Sequence, residues 1–168
     1  MKEPAPTYLI RETRPEEVAD LFNLVKKLAE YEKLLPDVSA SAELFRKNGF
    51  GENSYFYSLL IENREESGPR YLGFALYFFT FSTFVGKPTL YLEDLFVLPE
   101  YRGKSIGKEL LKTLARIAIE RDCGRMEWSV LNWNKPAIDF YISLNAKPMD
   151  EWTVYRLTAS DIKALANQ

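Results

Sequence analysis

The sequence of 168 residues has no histidine and only one cysteine, Cys123. The first absence excludes a His-ligated zinc site and passes any acid–base work to carboxylates and phenols. The second excludes an intramolecular disulfide, suits a reducing compartment, and leaves Cys123 as a small buried hydrophobe. No apolar run approaches the roughly eighteen residues a membrane span needs, and Met1–Thr7 lacks the apolar core of a signal peptide, so a cytoplasmic chain with no membrane partner is expected. Both common nucleotide fingerprints are missing as well. The spacing Gly-x-x-x-x-Gly-Lys-Ser/Thr does not occur, nor does Gly-x-Gly-x-x-Gly, which counts against an ATP or NAD site.

Hydrophobic residues make up 46% and charged residues 27% of the chain, in periodic rather than biased stretches. That balance and length predict one compact domain spanning 1–168. Tyr8–Arg11 reads as a first strand, and Thr13 with Glu16 has capping-box spacing ahead of a helix whose stripe is Val18, Leu21, Phe22, Val25, Leu28 and Ala29. A shorter helix over Ala40–Lys47 is expected to stop at Asn48–Gly49. Tyr55–Ile61 and Tyr71–Thr80 form a hairpin, Gly86, Lys87 and Pro88 turn the chain, and Thr89–Val97 reads as a strand buried on both faces. An amphipathic helix from Ile106 to about Cys123, a strand over Met126–Leu131, a helix over Lys135–Leu144, a strand over Thr153–Thr158 and a last helix from Ala159 complete the order. Asn145 can take the left-handed position after its helix. The fold class is α/β: one mixed, largely antiparallel central sheet flanked by helices on both faces.

Two features carry chemistry. Between Arg102 and Arg125 seven basic residues face three acidic ones, on a chain of net charge −2. A local basic segment on an acidic protein fits phosphate recognition plus a surface that attracts cations, whereas nucleic acid asks for a wider basic footprint. Within it, Leu98-Pro99-Glu100-Tyr101-Arg102-Gly103-Lys104-Ser105-Ile106-Gly107-Lys108 joins a buried strand to an amphipathic helix. Such a turn converges backbone N–H groups on one point at the positive end of a helix, where a pyrophosphate can bind. The second feature is Glu93–Asp94 in an otherwise apolar strand. These carboxylates act as proton acceptors, anchor a cationic substrate, or form buried ion pairs.

Tyr101–Gly107 resembles the acetyl-CoA motif of the GNAT family, and Asn134-Lys135-Pro136-Ala137 through Tyr141 resembles that family's second signature. Leu28–Glu32, Tyr91–Asp94, Tyr101–Gly103, Val130–Asn134 and Phe140–Tyr141 are together similar to its spermidine/spermine and thialysine N-acetyltransferase branch. The resemblance covers nearly the whole chain. It implies a splayed sheet, an acetyl carbonyl met by backbone N–H groups at Leu95, Phe96 and Val97, and a pyrophosphate held by Arg102, Gly103, Lys104, Ser105, Ile106, Gly107 and Lys108. Asn134 and Ala137 would flank the pantetheine arm, and Tyr141 would protonate the departing thiolate. Ser105 stands where the family pattern has glycine; a positive φ there costs a serine about 1 kcal/mol or more.

The implied reaction is transfer of acetyl from acetyl-CoA to a small cationic amine, with no metal. Such an amine ionises near about 10.4 and must lose a proton before attack, so a base is needed, and Glu93 acting through a water is the candidate. The resemblance places Tyr31, Glu32, Ser82, Glu93, Asp94 and Trp152 around the acceptor. Ser82-Thr83-Phe84 is more similar to the thialysine enzymes than to the polyamine enzymes. A homodimer using the strand near Val154 is implied, with the aromatic run Tyr77, Phe78, Phe79, Phe81 and Phe84 serving as core or interface. A peptide acetyltransferase and a non-catalytic CoA-binding module remain as alternatives.

Overall fold

The structure is a computed structural model in which residues 7–168 are described. The reading of Met1–Thr7 therefore lies, apart from Thr7, outside the described residues. The chain forms two compact units that divide between Ser129 and Val130. The first unit runs β1 (Tyr8–Glu12), α1 (Val18–Tyr31), α2 (Ala42–Phe50), β2 (Tyr57–Asn63), β3 (Tyr71–Ser82), β4 (Lys87–Val97), α3 (Ile106–Glu120) and β5 (Arg125–Trp128). The second holds α4 (Lys135–Ser143) and α5 (Ala159–Ala166).

The five strands lie in the order β1-β2-β3-β4-β5. Neighbours are antiparallel except β4 and β5, which run parallel. Alternation sends Leu60, Phe74, Leu76 and Phe96 to one face, where they pack with Leu21, Leu24 and Leu28 of α1. The opposite face carries Leu90 and Leu92, fully or nearly fully buried, and α3 covers this side with Leu110, Leu111 and Leu114. The α/β class, the mixed and mainly antiparallel sheet and the helices on both faces match the expectation.

The entry into α1 is fixed one residue later than the Thr13–Glu16 spacing suggests. The Arg14 N–H donates to the Glu17 carboxylate at 2.9 Å, and a 3-10 turn over Pro15–Glu17 leads into the helix. Thr13 instead accepts a hydrogen bond from the Ser58 hydroxyl. Glu17, only 2% exposed, is also bound by both terminal nitrogens of Arg11 and by the Tyr71 hydroxyl at 2.7 Å. Arg11 leads the donors that hold the Glu17 carboxyl down to about 2. Because its folded value is depressed, this carboxylate stabilises the fold above the ordinary carboxylate range, and that stability is lost as pH falls from about 4.5 toward 2. Tyr71→Phe removes one charge-assisted donor. It is expected to cost about 1.5–3 kcal/mol in urea unfolding at neutral pH and to move acid unfolding to higher pH.

Four expectations are corrected. Helix α2 continues through Asn48 and Gly49 to Phe50. The Asn48 amide donates back to the Leu44 carbonyl, and a Cβ on Gly49 would collide with the Phe56 ring, so this glycine serves close packing rather than termination. No strand forms over Thr153–Thr158. Val154 and Tyr155 are 85% and 90% exposed, and strand-forming residues without a ladder partner remain irregular. Strand β4 is not buried throughout: Glu93 is exposed, and Asp94 and Leu95 are half-buried. Cys123 is half-buried rather than fully enclosed. Of the aromatic run, Tyr77 is buried while Phe81 and Phe84 are exposed. Asn145 does adopt the left-handed conformation after α4, at φ 64°.

Candidate active site

The chemistry-bearing residues of the first unit gather where β4 becomes α3. Register along β3 and β4 pairs Leu76 with Asp94 but Tyr77 with Leu92, leaving Glu93 as the extra residue of a β-bulge. The bulge reverses the alternation. Leu92 faces α3, while Asp94 and Phe96 face α1. Pairing with β5 covers only Thr89–Leu92 and ends just before the bulge. Among the described residues of this unit, the β4 edge from Glu93 to Val97 has no strand on that side. Strand pairing on that side ends there, and the Val97 carbonyl on this stretch is taken by the Arg102 side chain.

The chain then passes through a 3-10 turn, Pro99–Tyr101, into a loop with two left-handed residues, Gly103 at φ 76° and Ser105 at φ 62°. Ser105 therefore has the strained conformation its place in the motif implies, and its hydroxyl makes no capping bond. Intrahelical pairing opens with the Glu109 N–H donating to the Ser105 carbonyl. The N–H groups of Ile106, Gly107 and Lys108 precede that bond and have no helical acceptor, as at any helix start. Nothing lies within 4 Å of a Cβ built on Gly103, so the space beside this residue is open. Two of the loop's long cations lie against aromatic rings: the Lys104 ammonium is 5.2 Å from the Tyr101 ring centroid. Arg102 Nε donates to the Val97 carbonyl at 2.9 Å, with its guanidinium 4.4 Å from the Tyr31 ring centroid and 5.6 Å from that of Phe96. The start of α3 offers backbone N–H groups suited to an anion.

The carboxylates divide by environment. Burial pushes the Asp94 carboxyl up to about 7, and the charges of Glu93 and Glu32 add to the effect. Glu32, half-buried at the end of α1, is also raised by desolvation. The expected burial of both carboxylates in the strand is corrected: Glu93, the bulge residue, is instead exposed, and Asp94 is the more enclosed of the two.

Tyr31, Glu32, Asp94, Phe96 and Arg102 are thus brought together on the α1 face. Ser82 is not with them. It is buried at the β3–β4 turn, where its hydroxyl accepts from the Val85 N–H, roughly 20 Å of strand from the bulge. In the second unit, Asn134 is buried and its side-chain oxygen accepts from the Ala137 N–H as the cap of α4. Tyr141 is half-buried on that helix, beside the Phe140 ring. Trp152 is 72% exposed. Sequence reasoning missed the bulge and the inward course of Arg102. Strict alternation would place Leu92, Asp94 and Phe96 on one face; the bulge moves only Leu92 to the other, and no local signal in the sequence marks it.

A mixed sheet opening at its fourth strand, followed by an amide-rich loop and helix, is the architecture of an acetyltransferase. The chain belongs to the Acetyltransferase (GNAT) family, whose sequence pattern matches residues 18–145. It is 38% identical to the thialysine N-epsilon-acetyltransferase of Sus scrofa over 95% of this chain and 98% of that protein. It is 34% identical to the spermidine/spermine N(1)-acetyltransferase-like protein 1 of Homo sapiens over 95% of this chain but 24% of that longer protein. Among solved structures, an integron cassette protein from the mobile metagenome of V. cholerae superposes with a TM-score of 0.80 at 28% identity, covering 98% of this chain and all of that one. The chain is an acetyltransferase, and no helix among its described residues is long and apolar enough to cross a membrane.

Proposed function

We propose that this acetyltransferase moves acetyl from acetyl-CoA to a primary amine of a small cationic acceptor, by direct attack in a ternary complex, with residues 1–168 working as one catalytic domain. The acceptor class is a diamine, a polyamine or a lysine-like amino acid such as thialysine. The observation that carries this reading is the open β4 edge running straight into the amide-rich loop. A pantetheine arm has peptide-like groups that suit an unpaired strand edge, and a diphosphate suits the unpaired N–H groups of Ile106, Gly107 and Lys108. Similarity to thialysine and spermidine/spermine enzymes supports the acceptor class.

Leu95, Phe96 and Val97 would supply strand-edge groups to the thioester. Residues Arg102–Lys108 would hold the diphosphate, with Asn134 and Ala137 beside the pantetheine. The half-buried carboxylates Glu32 and Asp94 favour a cation, and Tyr31 would offer it aromatic surface, a role the family resemblance also implies for Trp152. In the reaction the ammonium gives one proton to a carboxylate, Glu93 through water or Asp94 directly. The freed nitrogen forms its bond to the acetyl carbon as the carbon–sulfur bond breaks. The nitrogen then loses its second proton to solvent, giving the neutral amide, while Tyr141 gives a proton to the sulfur and regains one from solvent. A cytoplasmic homodimer without metal or nucleic acid completes the proposal.

The test is incubation of the purified protein with labelled acetyl-CoA and thialysine, lysine, ornithine, putrescine, spermidine or a basic peptide. Acetylation of one or more small amines is expected. Preference for the peptide would move the assignment to a protein acetyltransferase, and transfer to none, with acetyl-CoA still bound, to a regulatory module.

A further inference from the structure

We infer that Arg102 is a positioning residue that ties the cofactor loop to the end of α1, so that Tyr31, placed among acceptor residues, also governs affinity for CoA. The inference rests on the proposed use of the loop as a CoA site and adds a link between the two substrates. Arg102 is the first residue of the loop, following directly on the 3-10 turn. Its side chain folds back to the last carbonyl of β4 and over the Tyr31 ring, with Phe96 as a second aromatic neighbour. One side chain therefore touches the strand, the loop and the last turn of α1. The next residue, Glu32, is the half-buried carboxylate that neighbours Asp94.

The loop needs such an anchor. Gly103 is left-handed with open space beside it, and Ser105 is held at a φ that serine disfavours. A loop that must keep several amides aimed at one anion binds best when its conformation is set beforehand. Arg102 supplies two constraints. Its hydrogen bond to Val97 fixes the loop to its own strand, and its stacking on Tyr31 fixes it to a helix far away in sequence. An acceptor that orders the end of α1 would thereby also order the loop, giving positive coupling between amine and CoA.

The experiment is calorimetric titration of CoA into the wild-type protein and the Tyr31→Leu and Tyr31→Phe variants, with no amine present. Tyr31→Leu is expected to weaken CoA binding about threefold to tenfold, the range for a partly exposed cation–π contact. Tyr31→Phe keeps the ring and is expected to retain wild-type affinity. Thermal unfolding of both variants controls for misfolding. If Tyr31→Leu unfolds, Arg102→Lys, which keeps the charge but loses the planar face and the Nε donor, is expected to weaken CoA to a similar degree. Equal CoA affinity in wild type and folded Tyr31→Leu overturns the inference. No binding by the wild type would instead remove the CoA site itself.

Discussion

Asp94→Asn is expected to make the protein more stable at pH 8 and nearly inactive. The carboxyl of Asp94 is raised by burial from its ordinary value of 3.8 to about 7, with Glu93 and Glu32 as negative neighbours. Below pH 4 both folded and unfolded chains hold the proton and the group contributes nothing. Between about 4 and 7 the folded chain keeps a proton that the unfolded chain releases, so stability falls as pH rises. Above 7 the penalty is complete. Three units correspond to about 4 kcal/mol, and the partial solvent contact of this half-buried group reduces that to about 1–3 kcal/mol. Asparagine removes the charge at similar volume, so a melting temperature higher by about 3–9 °C is expected at pH 8, with little change at pH 4. Such strain is kept where a function needs it. The wild-type kcat/KM for the amine is expected to rise with pH through about 7, and the variant to lose that limb together with about a hundredfold or more of activity. An unchanged acidic limb in the variant would show that another group titrates there, and a lower melting temperature at pH 8 would show that the charge is compensated.

Much of this arrangement is legible in the chain because its signals are local. The stripe of α1 appears as buried Val18, Leu21, Leu28 and Ala29, and the Arg102–Gly107 loop lies between strand and helix where its composition places it. Ser105 marks a strained position through one substitution in a motif. What stays hidden is set by partners distant in sequence. The bulge at Glu93 is a mismatch with Leu76 and Tyr77 on another strand, and it decides which of two adjacent carboxylates is enclosed. The absent strand over Thr153–Thr158 makes the same point in reverse, since Trp152, Val154 and Leu157 have strand-like composition but no neighbour to pair with. Gly49 reads as a helix stop until Phe56 is seen against it. Propensity describes what a segment can do alone, and pairing determines what it does.

Tyr141→Phe is expected to leave CoA affinity within about twofold and to lower turnover by tenfold to a thousandfold, the usual range for one acid. Removing only the hydroxyl keeps the ring that neighbours Phe140 on α4, so the helix and its Asn134 cap should persist. A thiol ordinarily ionises near about 8.5 and a phenol near about 10, so at neutral pH the phenol is available as a donor when thiolate character develops on sulfur. The effect then belongs to the step that breaks the carbon–sulfur bond and should appear in kcat rather than in acceptor KM. A discriminating readout is the leaving group. Acyl donors whose thiols are more acidic need less help from an acid, so the gap between wild type and Tyr141→Phe should narrow as thiol pKa falls. A gap that stays constant across such donors, or wild-type turnover in the variant, would assign the phenol to packing or orientation instead of proton transfer.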